Sequence, residues 1–161
     1  MESIKEYVAR RKRDLHSIIV ETKHKHSFTI TLAIIQLGDN PASNAYVKGT
    51  MKDCAEVGVE TKLYKLSNHT TEDKLISLIH KLNKKSKIDG IIIQLPLPTH
   101  ISEDKVKLAV TPKKDVDGFH PSSPFVPCTP KGIVDYLEDQ HFTFEGKHAV
   151  VIGRSNIVGK A

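Results

Sequence analysis

Three features of this chain predict an α/β fold, a three-layer domain with a mostly parallel sheet flanked by helices. Short β-branched runs alternate with longer segments of helical periodicity, the pattern of strand–helix–strand units. The run Gly90–Ile93 is continuously apolar, as a strand covered on both faces must be. Three loop segments, Leu37–Pro41 (LGDNP), Gln94–Pro98 (QLPLP) and Gly153–Asn156 (GRSN), fall at the carboxyl ends of predicted strands, where parallel sheets hold their ligands.

The elements follow in order. Ile4, Val8, Leu15, Ile18 and Ile19 recur at helical spacing with basic residues between them, giving an amphipathic first helix over about residues 3–22. Ser27–Gly38 (SFTITLAIIQLG) then turns β-branched and reads as a buried strand. Asp39 or Asn40 caps the next helix and Pro41 suits its first turn, where an amide would have no partner; Gly58 ends it. Val59–Leu66 alternates as a second strand, and a helix over about residues 71–86 carries Leu75, Ile76, Leu78, Ile79 and Leu82 inward, with its cap somewhere in His69–Asp73. Asp89–Leu95 is the third strand, Ser102–Val110 and Pro127–Asp139 are helices, and His148–Gly153 (HAVVIG) is read as a fourth, buried strand.

At 161 residues the chain holds one domain with a real core, or one domain and the beginning of another. A strand, a glycine turn and a helix start at the end of the sequence favour the second: residues 1–142 form a first domain, and 143–161 begin a truncated Rossmann-type cofactor domain. Lys and Arg outnumber Asp and Glu by 24 to 19, but the charges are interspersed, so the +5 balance makes a weak field for nucleic acid. Cys54 and Cys128 have neither the number nor the spacing of a disulfide framework or zinc site, and the histidines form no ligand pair on a helix, so no metal is expected. No apolar run approaches membrane-spanning length and the charged N-terminus is no secretory signal; the expected location is the cytoplasm.

Several residues could carry chemistry. Gln94 leaves an apolar strand into a proline-stiffened loop, where it either satisfies neighbouring backbone groups or positions a ligand. Asp115 and Asp117 flank Val116, so an extended backbone points both carboxylates to one side with the valine as anchor. A carboxylate there could accept an amino group and a ring N–H together, with charge assistance; alone, DVDG could equally be a turn motif. Tyr46 and Thr50 share a helix face, where the ring either packs in the core or stacks on a flat ligand.

The segments Pro41–Val47 (PASNAYV), Gly90–Pro98 (GIIIQLPLP), Lys114–Pro121 (KDVDGFHP), Pro127–Ile133 (PCTPKGI) and Gly153–Lys160 (GRSNIVGK) occur in one order over most of the chain. They resemble the methylenetetrahydrofolate dehydrogenase/cyclohydrolase family. The resemblance implies a tetrahydrofolate substrate, with Tyr46, Gln94, Leu95 and Asp117 in its pocket, and Gln94 partnering a catalytic lysine. It implies a nicotinamide cofactor at Gly153, Arg154, Ser155 and Ile157, with Arg154 and Ser155 near the place where a 2′-phosphate would favour NADP; NAD is the alternative. It further implies a homodimeric parent enzyme that oxidises 5,10-methylenetetrahydrofolate and hydrolyses the product to 10-formyltetrahydrofolate in one-carbon metabolism. The 161-residue chain would then be monomeric and lack the dehydrogenase step, with a non-catalytic folate-binding or oligomerisation module as the rival reading.

Two positions depart from the family pattern. Thr50 stands where the catalytic lysine is expected, and Lys48 and Lys52 point about 160° away around a helix. The loop Ser122–Val126 (SSPFV is Ser122, Ser123, Pro124, Phe125, Val126) is shorter than the family's Asn- and Gly-containing loop.

Overall fold

The computed structural model describes residues 2–155 and 157–159. Its elements are α1 (Ile4–His26), β1 (Thr31–Leu37), α2 (Pro41–Val57), β2 (Glu60–Leu66), α3 (Glu72–Lys84), β3 (Gly90–Ile93), α4 (Glu103–Ala109), a 3-10 turn at Pro112–Lys114, and α5 (Cys128–Asp139). The three strands form one parallel sheet in the order β2-β1-β3, with Ile35 beside Tyr64 on one side and Ile93 on the other. Central β1 is buried along nearly its whole length, whereas every residue of edge strand β2 is exposed or half-buried. The α/β class is as the alternation predicts.

Ala33, Ile35 and Leu37 point to one face of β1, where they join Leu75, Ile79 and Leu82 of α3 and Val106 of α4 in a single apolar cluster. Each of the valine, leucine and isoleucine side chains in it contributes about 1.5–3 kcal/mol by leaving water. The opposite face carries Ile34 and Gln36; Gln36 is 2% exposed and its Nε2 donates to Asn44 Oδ1 of α2 at 2.6 Å. That bond braces the first turns of α2 against the sheet.

The caps resolve what the periodicity left open. Asn40, not Asp39, starts α2, its Oδ1 accepting from the backbone N–H groups of Ala42 and Ser43, and Gly58 closes the helix at φ 90°. Thr71 caps α3. Ser3 and Glu6 form a capping box on α1, which runs one turn beyond its predicted end.

Two expectations fail. Residues 148–153 form no strand: no strand lies beside them among the described residues, so their amides have no ladder, and Ile152 is 98% exposed. Of the five apolar positions that make up the stripe on α1 only Ile19 is buried, and Ile4, Val8, Leu15 and Ile18 stay exposed. Tyr7 is buried instead, edge-on to Tyr136 of α5 at 5.2 Å. Helix α5 is tied to the chain start by Arg10, which pairs with both Glu2 and Asp139, and by Tyr136, whose hydroxyl donates to the Glu2 carbonyl at 2.7 Å.

Candidate functional site

A cleft of about 300 Å³ opens at the carboxyl end of β3 and is lined by Tyr46, Thr50, Ile92, Ile93, Gln94, Leu95, Asp117, Phe119 and Cys128. Its size is at the lower end of the ~300–1,000 Å³ typical of small-molecule sites. All four residues expected in a substrate pocket, Tyr46, Gln94, Leu95 and Asp117, line it together with Thr50, although they come from three separate parts of the chain.

Gln94 takes up the sheet's last hydrogen bond, its N–H donating to the Ile35 carbonyl at 2.9 Å. Its side-chain Nε2 donates to the Leu95 carbonyl at 2.6 Å, which fixes the amide at the cleft. Gln94 thus satisfies a backbone group, the first of its two open readings, while it lines the cleft. The Leu95–Pro96 peptide beyond it is cis.

On α2, Tyr46 is 67% exposed, so its ring is an open wall of the cleft and not core packing. The Thr50 hydroxyl donates to the Tyr46 carbonyl at 3.1 Å, a bond back to its own helix. Neither Lys48 nor Lys52 lines the cleft, nor does any other lysine or arginine.

The Asp115–Gly118 segment corrects the extended-backbone expectation. It is a turn, so the two carboxylates diverge: Asp115 is 4% exposed and its Oδ2 accepts the His120 N–H at 2.7 Å, while Asp117 lines the cleft. Val116 is an anchor as expected, packed where a Cβ on Gly90 would come within 2.7 Å of it. Asp117 has no hydrogen-bond partner among the described residues, and burial, with a smaller contribution from the Asp115 charge, pushes its carboxyl up to about 6. The Cys128 thiol is pushed up by burial and then by the same two carboxylates.

Phe119 and Cys128 are cleft residues that the sequence reading did not single out for a role. Phe119 could have been found, lying two residues past Asp117; Cys128 arrives only through packing of the α5 start against Val116, whose carbonyl accepts from its Sγ at 3.5 Å.

The candidate cofactor residues lie elsewhere. Gly153, Arg154 and Ser155 are exposed and line neither cleft, and Asn156 and Lys160 of the same motif fall outside the described residues. Ile157 lines a larger cavity of about 740 Å³ with Lys107, Phe119, His120 and Phe125, under the short loop. Among the described residues no group of three or more His, Cys, Asp or Glu converges to hold a metal ion, and no helix is long and apolar enough to cross a membrane.

The family described as tetrahydrofolate dehydrogenase/cyclohydrolase, catalytic domain, matches residues 3–117, and the NAD(P)-binding domain of the same enzymes matches residues 127–161. The bifunctional protein FolD of Acetivibrio thermocellus is 46% identical over 165 aligned residues, covering 97% of this chain and 58% of the relative. That of Agathobacter rectalis is 48% identical, covering 92% of this chain and 56% of the relative. Among solved structures, the bifunctional FolD methylenetetrahydrofolate dehydrogenase/cyclohydrolase of Campylobacter jejuni superimposes with a TM-score of 0.92 at 41% identity, over 96% of this chain and 58% of that one. The Trypanosoma brucei enzyme, solved with NADP and an inhibitor, gives 0.91 at 25% identity, over 96% of this chain and 56% of that one. The chain thus spans a little over half the length of the relatives it matches.

Proposed function

Because this chain belongs to the tetrahydrofolate dehydrogenase/cyclohydrolase family, we propose that its cleft binds a reduced folate and that the whole protein oxidises 5,10-methylenetetrahydrofolate in one-carbon metabolism. The observation that carries this reading is Asp117, a half-buried carboxylate without a hydrogen-bond partner among the described residues, beside the open ring of Tyr46. The pterin's amino group and adjacent ring N–H are a donor pair that such a carboxylate accepts in a bidentate manner. Tyr46 gives the flat ligand a stacking face, and Gln94 and Leu95 border its reacting end.

A bound nicotinamide cofactor supplies the hydride acceptor. Gly153, at φ 135°, and the exposed Arg154 and Ser155 beside it would hold that cofactor, the guanidinium and the hydroxyl donating to a phosphate, and Ile157 would pack nearby. Arg154 favours NADP over NAD for its 2′-phosphate. This chain's own part in the oxidation is to orient the folate and hold its rings in place.

Hydrolysis of the methenyl product to 10-formyltetrahydrofolate is the weak step here. It needs a group to move a proton to or from the attacking water, and Thr50 has no amine and a hydroxyl already bonded to Tyr46. We place the loss at about 10²- to 10⁴-fold in the cyclohydrolase reaction. That same observation favours, as the second reading, a folate-binding module without catalysis.

Residues 1–142 are proposed as the folate-binding domain and 143–161 as the start of the cofactor domain. The family match to the cofactor domain begins at 127, but the ties of Tyr136 and Asp139 to Glu2 and Arg10 support counting α5 with the first domain. Folded alone, residues 1–161 would be monomeric, cytoplasmic and without dehydrogenase activity, and would bind neither nucleic acid nor membrane. The test is hydride transfer from methylenetetrahydrofolate to NADP in the protein with a full cofactor domain; its absence, with folate bound, would leave the binding-module reading.

A further inference from the structure

Asp115 lies outside the cleft, yet it accepts hydrogen bonds from both the turn that carries Asp117 and the loop that follows it. Its Oδ2 accepts the His120 N–H at 2.7 Å, and its carbonyl accepts from the Ser123 hydroxyl at 3.0 Å and from the Gly118 N–H at 3.3 Å. Its backbone bridges to Ile91 of β3, and it is 4% exposed. The far side of the turn is closed as well: a Cβ on Gly118, at φ 71°, would meet the Phe125 carbonyl and the Pro127 nitrogen at 2.7 Å. These restraints fix the backbone on both sides of Asp117.

We propose that Asp115 is a positioning residue for Asp117: it ties the Asp115–His120 turn shut on β3 and so aims the Asp117 carboxylate at the folate. The inference rests on the reading of the cleft as a folate site.

Asp115 acts through two separable properties. Its oxygen is a hydrogen-bond acceptor that closes the turn, and its charge opposes a second negative charge at Asp117. The other ionisable groups facing Asp117 in the cleft are Tyr46 from α2 and Cys128 from α5; β3 and the loop after it contribute only apolar groups and the neutral Gln94. No cation among them offsets the Asp115 charge.

Asp115→Asn keeps an acceptor and removes the charge, whereas Asp115→Ala removes both, and residues 1–161 of each are compared with the unchanged chain. Titration of the Asp117 carboxyl by carbon-13 NMR without ligand should give a midpoint near 6 in the unchanged chain and a lower one in Asp115→Asn. Calorimetry with 5,10-methenyltetrahydrofolate at pH 7.5 should show Asp115→Asn within about threefold of the unchanged affinity and Asp115→Ala weaker by roughly tenfold or more. Equal affinity for Asp115→Ala, or an Asp115→Asn loss as large as that of Asp115→Ala, overturns the proposal. If Asp115→Ala does not fold, an unmoved Asp117 midpoint in Asp115→Asn overturns it. A lowered midpoint in a chain that binds no folate supports the Asp115–Asp117 coupling and overturns the folate reading instead.

Discussion

Gly90 and Val116 touch because one of them has no side chain. A Cβ at Gly90 would sit 2.7 Å from Val116 Cγ1 and 2.9 Å from Leu32 Cδ1, so the first residue of β3 admits the valine that anchors the Asp117 turn. The close approach links the sheet to the cleft: Val116 seats against β3, and Asp117, its neighbour, lines the site that β3 ends in.

Gly90→Ala should therefore act on stability and ligand binding together. Displacing Val116 and Leu32 costs about 1–3 kcal/mol, read as a lower denaturation midpoint, and the shifted turn should weaken folate binding. A substitution that lowered stability alone would show that the turn repositions independently of Val116.

Asp117 carries a pH dependence whose sign is fixed by its raised carboxyl, near 6 in the folded chain against about 3.9 unfolded. The folded state binds the proton more tightly, so between these two values stability falls as pH rises. Asp117→Asn should accordingly raise the melting temperature at pH 7.5, leave it nearly unchanged at pH 4, and weaken folate binding. Folate affinity in the unchanged chain should decline as pH falls through 6, because the protonated carboxyl cannot accept both donors. A pH-independent stability difference between the two proteins would contradict the assignment.

Thr50→Lys, in a protein carrying the full cofactor domain, should raise methenyltetrahydrofolate hydrolysis by about 10²- to 10⁴-fold. Dehydrogenase turnover should change far less, since the lysine is asked to handle a proton and not a hydride. Unchanged hydrolysis would mean that Thr50 is not the cause of the deficit.

Helix α5 should loosen when its tie to the N-terminus is cut. Tyr136→Phe removes the 2.7 Å bond to the Glu2 carbonyl and should cost about 1 kcal/mol, with faster amide exchange in Cys128–Asp139. Exchange that quickened only in residues 143–155 would place α5 outside the first domain.

The sheet and the cleft were legible in the sequence for local reasons. An apolar run followed by Gln94 and prolines marks a strand end whatever surrounds it, and Tyr46 and Thr50 share a face by helical spacing alone. The sequence misled where the outcome depends on a partner. His148–Gly153 has the composition of a buried strand, yet a strand needs a neighbour to satisfy its amides, and none lies beside it among the described residues. The stripe on α1 has the same difficulty, since periodicity marks an apolar face without saying what covers it. Asp115 and Asp117 diverge because their segment is a turn, and the carboxylate that the sequence treats as Asp117's equal is buried on the His120 amide. Cys128 reaches the cleft only through the packing of α5.

The central claim, that Asp117 holds a reduced folate in this cleft, is tested most directly by calorimetric titration of residues 1–161 with 5,10-methenyltetrahydrofolate, beside Asp117→Ala. Saturable binding that is lost in a folded Asp117→Ala protein is the predicted result. Binding of equal strength in both proteins, or none by the folded unchanged chain, would contradict it.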